Sequence, residues 1–138
     1  MEMEEVIHLT SEDMLMLEPA LDLVFRRCGR KLTLEYLSRR WSRFVRKVEQ
    51  GYPYIIDEYT NELTIRDIFQ MVMNNCPPNI YNELSSWING WDERFIQATE
   101  KVEKPLLPFL GEEEGWWWFR VPLNPGEEMK RSLENWWS

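Results

Sequence analysis

Residues 33 to 51 read TLEYLSRRWSRFVRKVEQG, and this stretch decides the fold class. Leu34, Leu37, Trp41, Val45 and Val48 recur at spacings of three and four. That period lays them along one side of an α-helix, whose turn holds 3.6 residues. Thr33 supplies a capping oxygen before the first periodic residue, and Gly51 with Pro53 closes the run. The spacing predicts a helix over roughly residues 34 to 49. A helix with an apolar stripe must cover it, so the rest of the chain has to supply partner faces.

Such faces exist on both sides of it. Upstream, Thr10 with Asp13 marks a helix start, and Met14, Leu17, Leu21 and Val24 or Phe25 make a stripe. Pro19 either kinks this helix or starts a second one, and Gly29 suits its C-terminal end. Glu5 to Leu9 reads as a short strand. Downstream, Tyr54 to Tyr59 is β-prone but short, and is either loop or strand. Thr64 with Asp67 marks another helix start, with Ile65, Ile68, Phe69 and Val72 as its stripe. Pro77 and Pro78 end that helix and open the next, from about 79 to 104. Its stripe is Ile80, Leu84, Trp87 or Ile88, Trp91, Phe95 and Val102, with Gly90 as a bend or close contact. Residues 105 to 115 read as an exposed connection. Trp116 to Val121 is the strongest strand signal, aromatic and flanked by Gly115 and Pro122. Asn124, Pro125 and Glu127 then introduce a last helix. The expected fold is mainly α, with about five helices and a small β element near residues 116 to 121. The 138 residues form a single expected domain, 1 to 138, at a length typical of one.

Composition narrows the chemistry. The only histidine is His8, so a multi-histidine metal site or a second histidine-based dyad is excluded, and no CxxC pair is present. His8 itself reads as a partly buried polar residue. Glycines at 29, 51, 90, 111, 115 and 126 form no phosphate-cradling loop. No cofactor and no metal is expected. Cys28 and Cys76 are too few for a disulfide framework. The acidic start has no signal-peptide character and no apolar run approaches a membrane span, which points to the cytoplasm.

The net charge of −8 is unevenly distributed. Residues 1 to 20 carry −6, residues 21 to 50 carry +6, residues 51 to 104 carry −5 and residues 105 to 138 carry −3. The basic stretch centres on Arg39, Arg40, Arg43, Arg46 and Lys47. It is either a docking stripe or the solvated face of the helix. A net acidic protein repels phosphate, so nucleic acid is not the expected partner. An acidic surface instead steers a basic partner.

Eight tryptophans are several times the usual number, and each has one indole N–H to satisfy. Trp41, Trp87 and Trp91 fall on helical stripes and are expected in the core. In a strand, Trp117 would face away from Trp116 and Trp118, so one side is either covered or left as an aromatic contact. Asn61, Arg66, Asp67, Asp92, Arg94, Thr99 and Arg120 lie close to apolar stripes. An Arg next to tryptophan and opposite Asp would form a charge-assisted, bidentate network, which is either glue that fixes helix packing, the expected reading, or a site.

The runs Glu58-Tyr59-Thr60-Asn61-Glu62-Leu63 with Arg66-Asp67, Trp91-Asp92-Glu93-Arg94-Phe95 with Ala98-Thr99, and Trp116-Trp117-Trp118-Phe119-Arg120-Val121-Pro122 resemble a loose group of small uncharacterised bacterial proteins. The resemblance covers about residues 52 to 122 and carries no activity or residue role. Some small acidic bacterial proteins of this kind are immunity partners of secreted toxins, which implies binding rather than catalysis. The expectation is a non-enzymatic, acidic protein-binding module, an immunity protein neutralising a basic bacterial toxin domain. Its expected contacts are Asp57, Glu58, Glu112, Glu113, Glu114 and Trp117. The alternative is a carbohydrate-binding or carboxylate-based glycan-acting protein with tryptophan platforms.

Overall fold

The computed structural model describes residues 3–107 and 115–136. Five helices appear in chain order: α1 (Ser11–Cys28), α2 (Leu34–Gly51), α3 (Ile56–Asn74), α4 (Pro78–Gln97) and α5 (Glu127–Trp136). Between α4 and α5, β1 (Thr99–Lys101) and β2 (Arg120–Pro122) form a two-stranded antiparallel sheet. Thr99 faces Pro122, and Lys101 faces Arg120.

The central helix follows its sequence pattern closely. Leu34, Leu37, Trp41, Val45 and Val48 are all buried, and Thr33 Oγ1 accepts the Tyr36 N–H at 3.0 Å. Phe44 joins them and is the hub of an aromatic cluster with Trp41, Tyr52, Tyr59 and Phe95 at 5.2–5.8 Å between ring centres. In α1, Thr10 caps through the Asp13 N–H, Gly29 closes the helix at φ 71°, and Val24 rather than Phe25 completes the buried stripe. Pro19 does not divide this helix. Pro19 and Leu15 both lie on its exposed side, where water can satisfy the Leu15 carbonyl that loses its donor.

Four local expectations give way to tertiary contacts. Residues 5 to 9 form no strand. They belong to a strap across α2 and α4 held by side chains instead of a neighbouring strand. The Glu4 carbonyl accepts both the Trp87 and Trp91 indoles, at 3.0 and 2.9 Å. The Glu5 carbonyl accepts from Ser42 Oγ at 2.8 Å, and Ser38 Oγ accepts the Ile7 N–H. Helix α3 begins at Ile56, eight residues before Thr64. No local side chain caps it. Ser132 Oγ of α5 accepts the Ile56 N–H at 3.0 Å, a cap from 76 residues away that no local pattern reveals. Helix α4 stops at Gln97, where Thr99 Oγ1 turns back to the Phe95 carbonyl at 2.7 Å and the chain enters β1. Finally, Trp116–Phe119 is a turn of 3-10 helix and the strand is confined to Arg120–Pro122.

Gly90 is a close-contact position, because a Cβ there would come within 2.6 Å of the Met3 side chain on the strap. Deleting residues 1 to 6 removes the shared acceptor of two indoles and the Ser42 partner. We expect helical circular dichroism to persist while stability falls by about 2–4 kcal/mol in urea unfolding, with red-shifted tryptophan emission. An unchanged unfolding midpoint would show that the strap contributes nothing.

Candidate functional site

The polar residues near the apolar stripes converge inside the protein. Arg66 of α3 and Asp92 of α4 are 4% and 6% exposed. Arg66 donates to both carboxylate oxygens of Asp92, with Nη2 to Oδ2 at 2.8 Å and Nε to Oδ1 at 3.1 Å. Asp92 Oδ1 also accepts the Trp41 indole of α2 at 3.0 Å. The Arg66 guanidinium lies 4.4 Å from the centre of the Trp117 ring and donates onward to Gln70. Burial raises the Asp92 carboxyl above its ordinary range, against the pull of Arg66 and the Trp41 bond.

Asp67, the next residue on α3, does the same for the tryptophan triplet. Its Oδ1 accepts the Trp117 indole at 2.7 Å and the Trp118 indole at 2.9 Å. Two consecutive side chains therefore reach one carboxylate, which an extended strand cannot arrange, and this is why residues 116–119 coil. Trp116 stays partly exposed against Phe95. Arg120 then ties the sheet to α4, with Nε on Thr99 Oγ1 at 2.7 Å and Nη2 on the Ile96 carbonyl at 3.0 Å. This assembly is a packing lock. Arg66 and Trp41 in it both bond to Asp92, and Asp67 bonds to both the Trp117 and Trp118 indoles.

The expected contact residues are scattered. Asp57 and Glu58 are exposed in the first turn of α3, where their charge suits the helix dipole. Trp117 is 4% exposed and committed to Asp67. Glu112, Glu113 and Glu114 lie outside the described residues. His8 is exposed rather than partly buried. Trp87 is half-buried at the rim, and Ile88 takes the core position beside it.

The basic stripe of α2 is largely matched by acids. Arg39 meets Glu35 at 3.0 Å, Arg40 meets Glu62, and Arg46 meets Glu5 at 2.5 Å with Arg43 at 4.0 Å. Arg94 pairs with Glu49 at 2.5 Å. Such pairs add little stability, but they leave the acidic surface dominant. On α1, Leu15 is 66% and Met16 38% exposed, beside exposed Glu12, Glu18 and Asp22. Both apolar residues fall outside the predicted stripe of α1, and that misplacement was the signal in the sequence. Next to this face, Asp13 and Glu83 of α4 lie within hydrogen-bond reach. Asp13 raises the Glu83 carboxyl, chiefly through that shared hydrogen bond.

No family model, no curated protein and no solved structure matches the chain. No helix among the described residues is long and apolar enough to cross a membrane.

Two measurements test the lock. Asp92→Ala leaves a buried guanidinium without its carboxylate and should cost about 3–5 kcal/mol in urea unfolding. The pair Arg66→Met with Asp92→Leu should cost at least about 1 kcal/mol less than the two single changes added together. Full additivity would show that the two side chains act independently.

Asp67 carries a pH signature. Burial raises its carboxyl from the ordinary 3.8, outweighing the two indole bonds and Arg66, which lower it. The folded chain therefore holds this proton more tightly than the unfolded chain. The stability it contributes is full below the ordinary range and is lost as pH rises through the raised value. The advantage of the wild type over Asp67→Asn should be larger near about pH 3 than near about pH 7. Urea midpoints at both pH values check the sign, and a difference that grows with pH contradicts it.

Proposed function

We propose that this chain is a non-enzymatic binding module for a basic protein domain, acting as an immunity protein that neutralises a bacterial toxin. The observation that carries this reading is the exposed face of α1. Leu15 and Met16 stand bare at its centre, and Glu12, Glu18 and Asp22 border them. An apolar centre with a charged rim is the anatomy of a protein interface. The acids lie in the first two thirds of α1, whereas Arg26 and Arg27 stand in its last turn, so the part of the face around Leu15 and Met16 favours a basic partner and accelerates encounter. The glutamates facing Arg39, Arg40 and Arg46 of α2 support the same reading, because they pair those positive charges of the stripe. Neutralisation would be steric and electrostatic, with acids covering the basic cleft of the toxin.

Asp57 and Glu58 contribute exposed acids to this proposal, and Glu112, Glu113 and Glu114, outside the described residues, stay proposed contacts by their charge alone. The anchoring role passes from Trp117 to Leu15 and Met16, since the Trp117 indole is occupied inside the fold.

The test is affinity capture from the source organism, followed by expression of the captured partner alone and together with this chain. A stoichiometric basic partner that arrests growth alone and is tolerated in the presence of the chain is expected. Glu12→Lys with Glu18→Lys should then slow association at least about tenfold at low salt and less at high salt. A captured partner that is harmless alone, or whose association ignores both changes, would overturn the proposal.

A further inference from the structure

Three arginines in this fold share one arrangement, an arginine laid on a tryptophan ring with its guanidinium paired to a carboxylate. Arg66 lies 4.4 Å from the Trp117 ring centre and pairs with Asp92. Arg94 lies 4.4 Å from the Trp91 ring centre and pairs with Glu49. Arg46 approaches the same ring, 5.3 Å from the Trp91 ring centre, and pairs with Glu5. The planar guanidinium suits both partners at once: it stacks on the ring and presents a fork of N–H groups to the acid.

Trp87 has the other two parts of the arrangement. It borders an open groove of about 520 Å³ between the strap and the first half of α4. Glu4 and Glu83 line the same groove, and Ile7, Leu9 and Ser86 complete the wall that matters here. Among the described residues no cation stands over Trp87. Among the described residues no lysine or arginine lines it. The ring is held in place from behind. Phe69 stacks on it at 5.8 Å between ring centres, and its indole N–H is fixed to the Glu4 carbonyl. Asp13 places a second carboxyl within hydrogen-bond reach of Glu83, so a cation arriving there meets two acids.

We infer that this groove receives an arginine side chain of a basic protein partner, stacked on Trp87 with its guanidinium against Glu83. The aliphatic part of that arginine would lie along Ile7 and Leu9. Arginine is favoured over lysine because its planar guanidinium stacks on the ring while its fork pairs with the acid, whereas an ammonium acts only as a point charge. This inference rests on the proposed function for its choice of a protein as the source of the arginine, but the groove can be tested without that partner.

The probe is a tetra-arginine peptide, with tetra-lysine as the matched charge control. The readout is the Trp87 indole resonance in a ¹H–¹⁵N spectrum, assigned by its loss in Trp87→Phe. Tetra-arginine should shift that resonance saturably, with tetra-lysine at least about fivefold weaker. Glu83→Gln lies at an exposed position, should leave the rest of the spectrum in place, and should weaken tetra-arginine binding about fivefold or more. Glu12→Gln on α1 should leave the Trp87 shift unchanged. A Trp87 resonance that does not move, that moves equally with tetra-lysine, or that ignores Glu83→Gln would overturn the inference. The two proposals fail separately. Arginine binding at Trp87 without any toxic partner removes the proposed function and keeps the groove. A toxic partner whose affinity is unaffected by Glu83→Arg keeps the function and removes the groove.

Discussion

The buried pair between Arg66 and Asp92 is the constraint on which the rest of the structure depends. Two charges taken out of water carry a desolvation cost of several kcal/mol each, and their attraction offsets it only when geometry and remaining hydrogen bonds are complete. Here they are complete. The carboxylate holds the guanidinium through two N–H groups and takes the Trp41 indole besides. The guanidinium in turn supports Trp117. Four elements, α2, α3, α4 and the 116–119 turn, thereby share one set of directed bonds. Apolar packing alone tolerates slippage between helices, whereas this arrangement is satisfied in one register. Burial of the apolar stripes supplies most of the driving force, and the pair selects among the ways of burying them.

A second regularity follows from tryptophan chemistry. A buried indole needs an acceptor for its N–H, and this chain meets that need economically. Asp67 serves Trp117 and Trp118, the Glu4 carbonyl serves Trp87 and Trp91, Asp92 serves Trp41, and the Leu106 carbonyl serves Trp136 at 2.7 Å. These acceptors determine where the irregular segments go. The N-terminal strap lies over α4 because two indoles present donors there. Residues 116–119 coil because two side chains must reach one acid. Acceptors that serve several donors make these segments part of the core in spite of their lack of regular structure.

The surface separates into two kinds of charge. Arginines of α2 are matched to glutamates drawn from the strap, from α2 itself and from α3. Acids on α1 border exposed apolar side chains. Local sequence charge placed a basic block in residues 21 to 50, but it could not show that Glu5 and Glu62 would pair with Arg40, Arg43 and Arg46 within it. The candidate site was legible only in its ingredients. Arg66 and Asp92 stood out as polar residues near apolar stripes, and they do meet. Leu15 and Met16 were visible as apolar residues off their stripe. Trp87 carried no such signal, because a tryptophan at the edge of a helical stripe has the same spacing whether it faces the core or a groove.

The sequence by itself determined the helical class, the buried face of α2, the start and end of α1, and the prolines that open α4. Each of these rests on interactions within about four residues, where period, cap and backbone restriction are written directly in the chain. The tertiary structure alone decided where α3 begins, since Ser132 caps it from another helix. It also decided that the strap is not a strand, that the tryptophan triplet coils, and that Trp87 faces a groove beside Glu83. Those outcomes depend on donors and acceptors that lie dozens of residues apart along the chain. Only the folded arrangement brings them within hydrogen-bond distance.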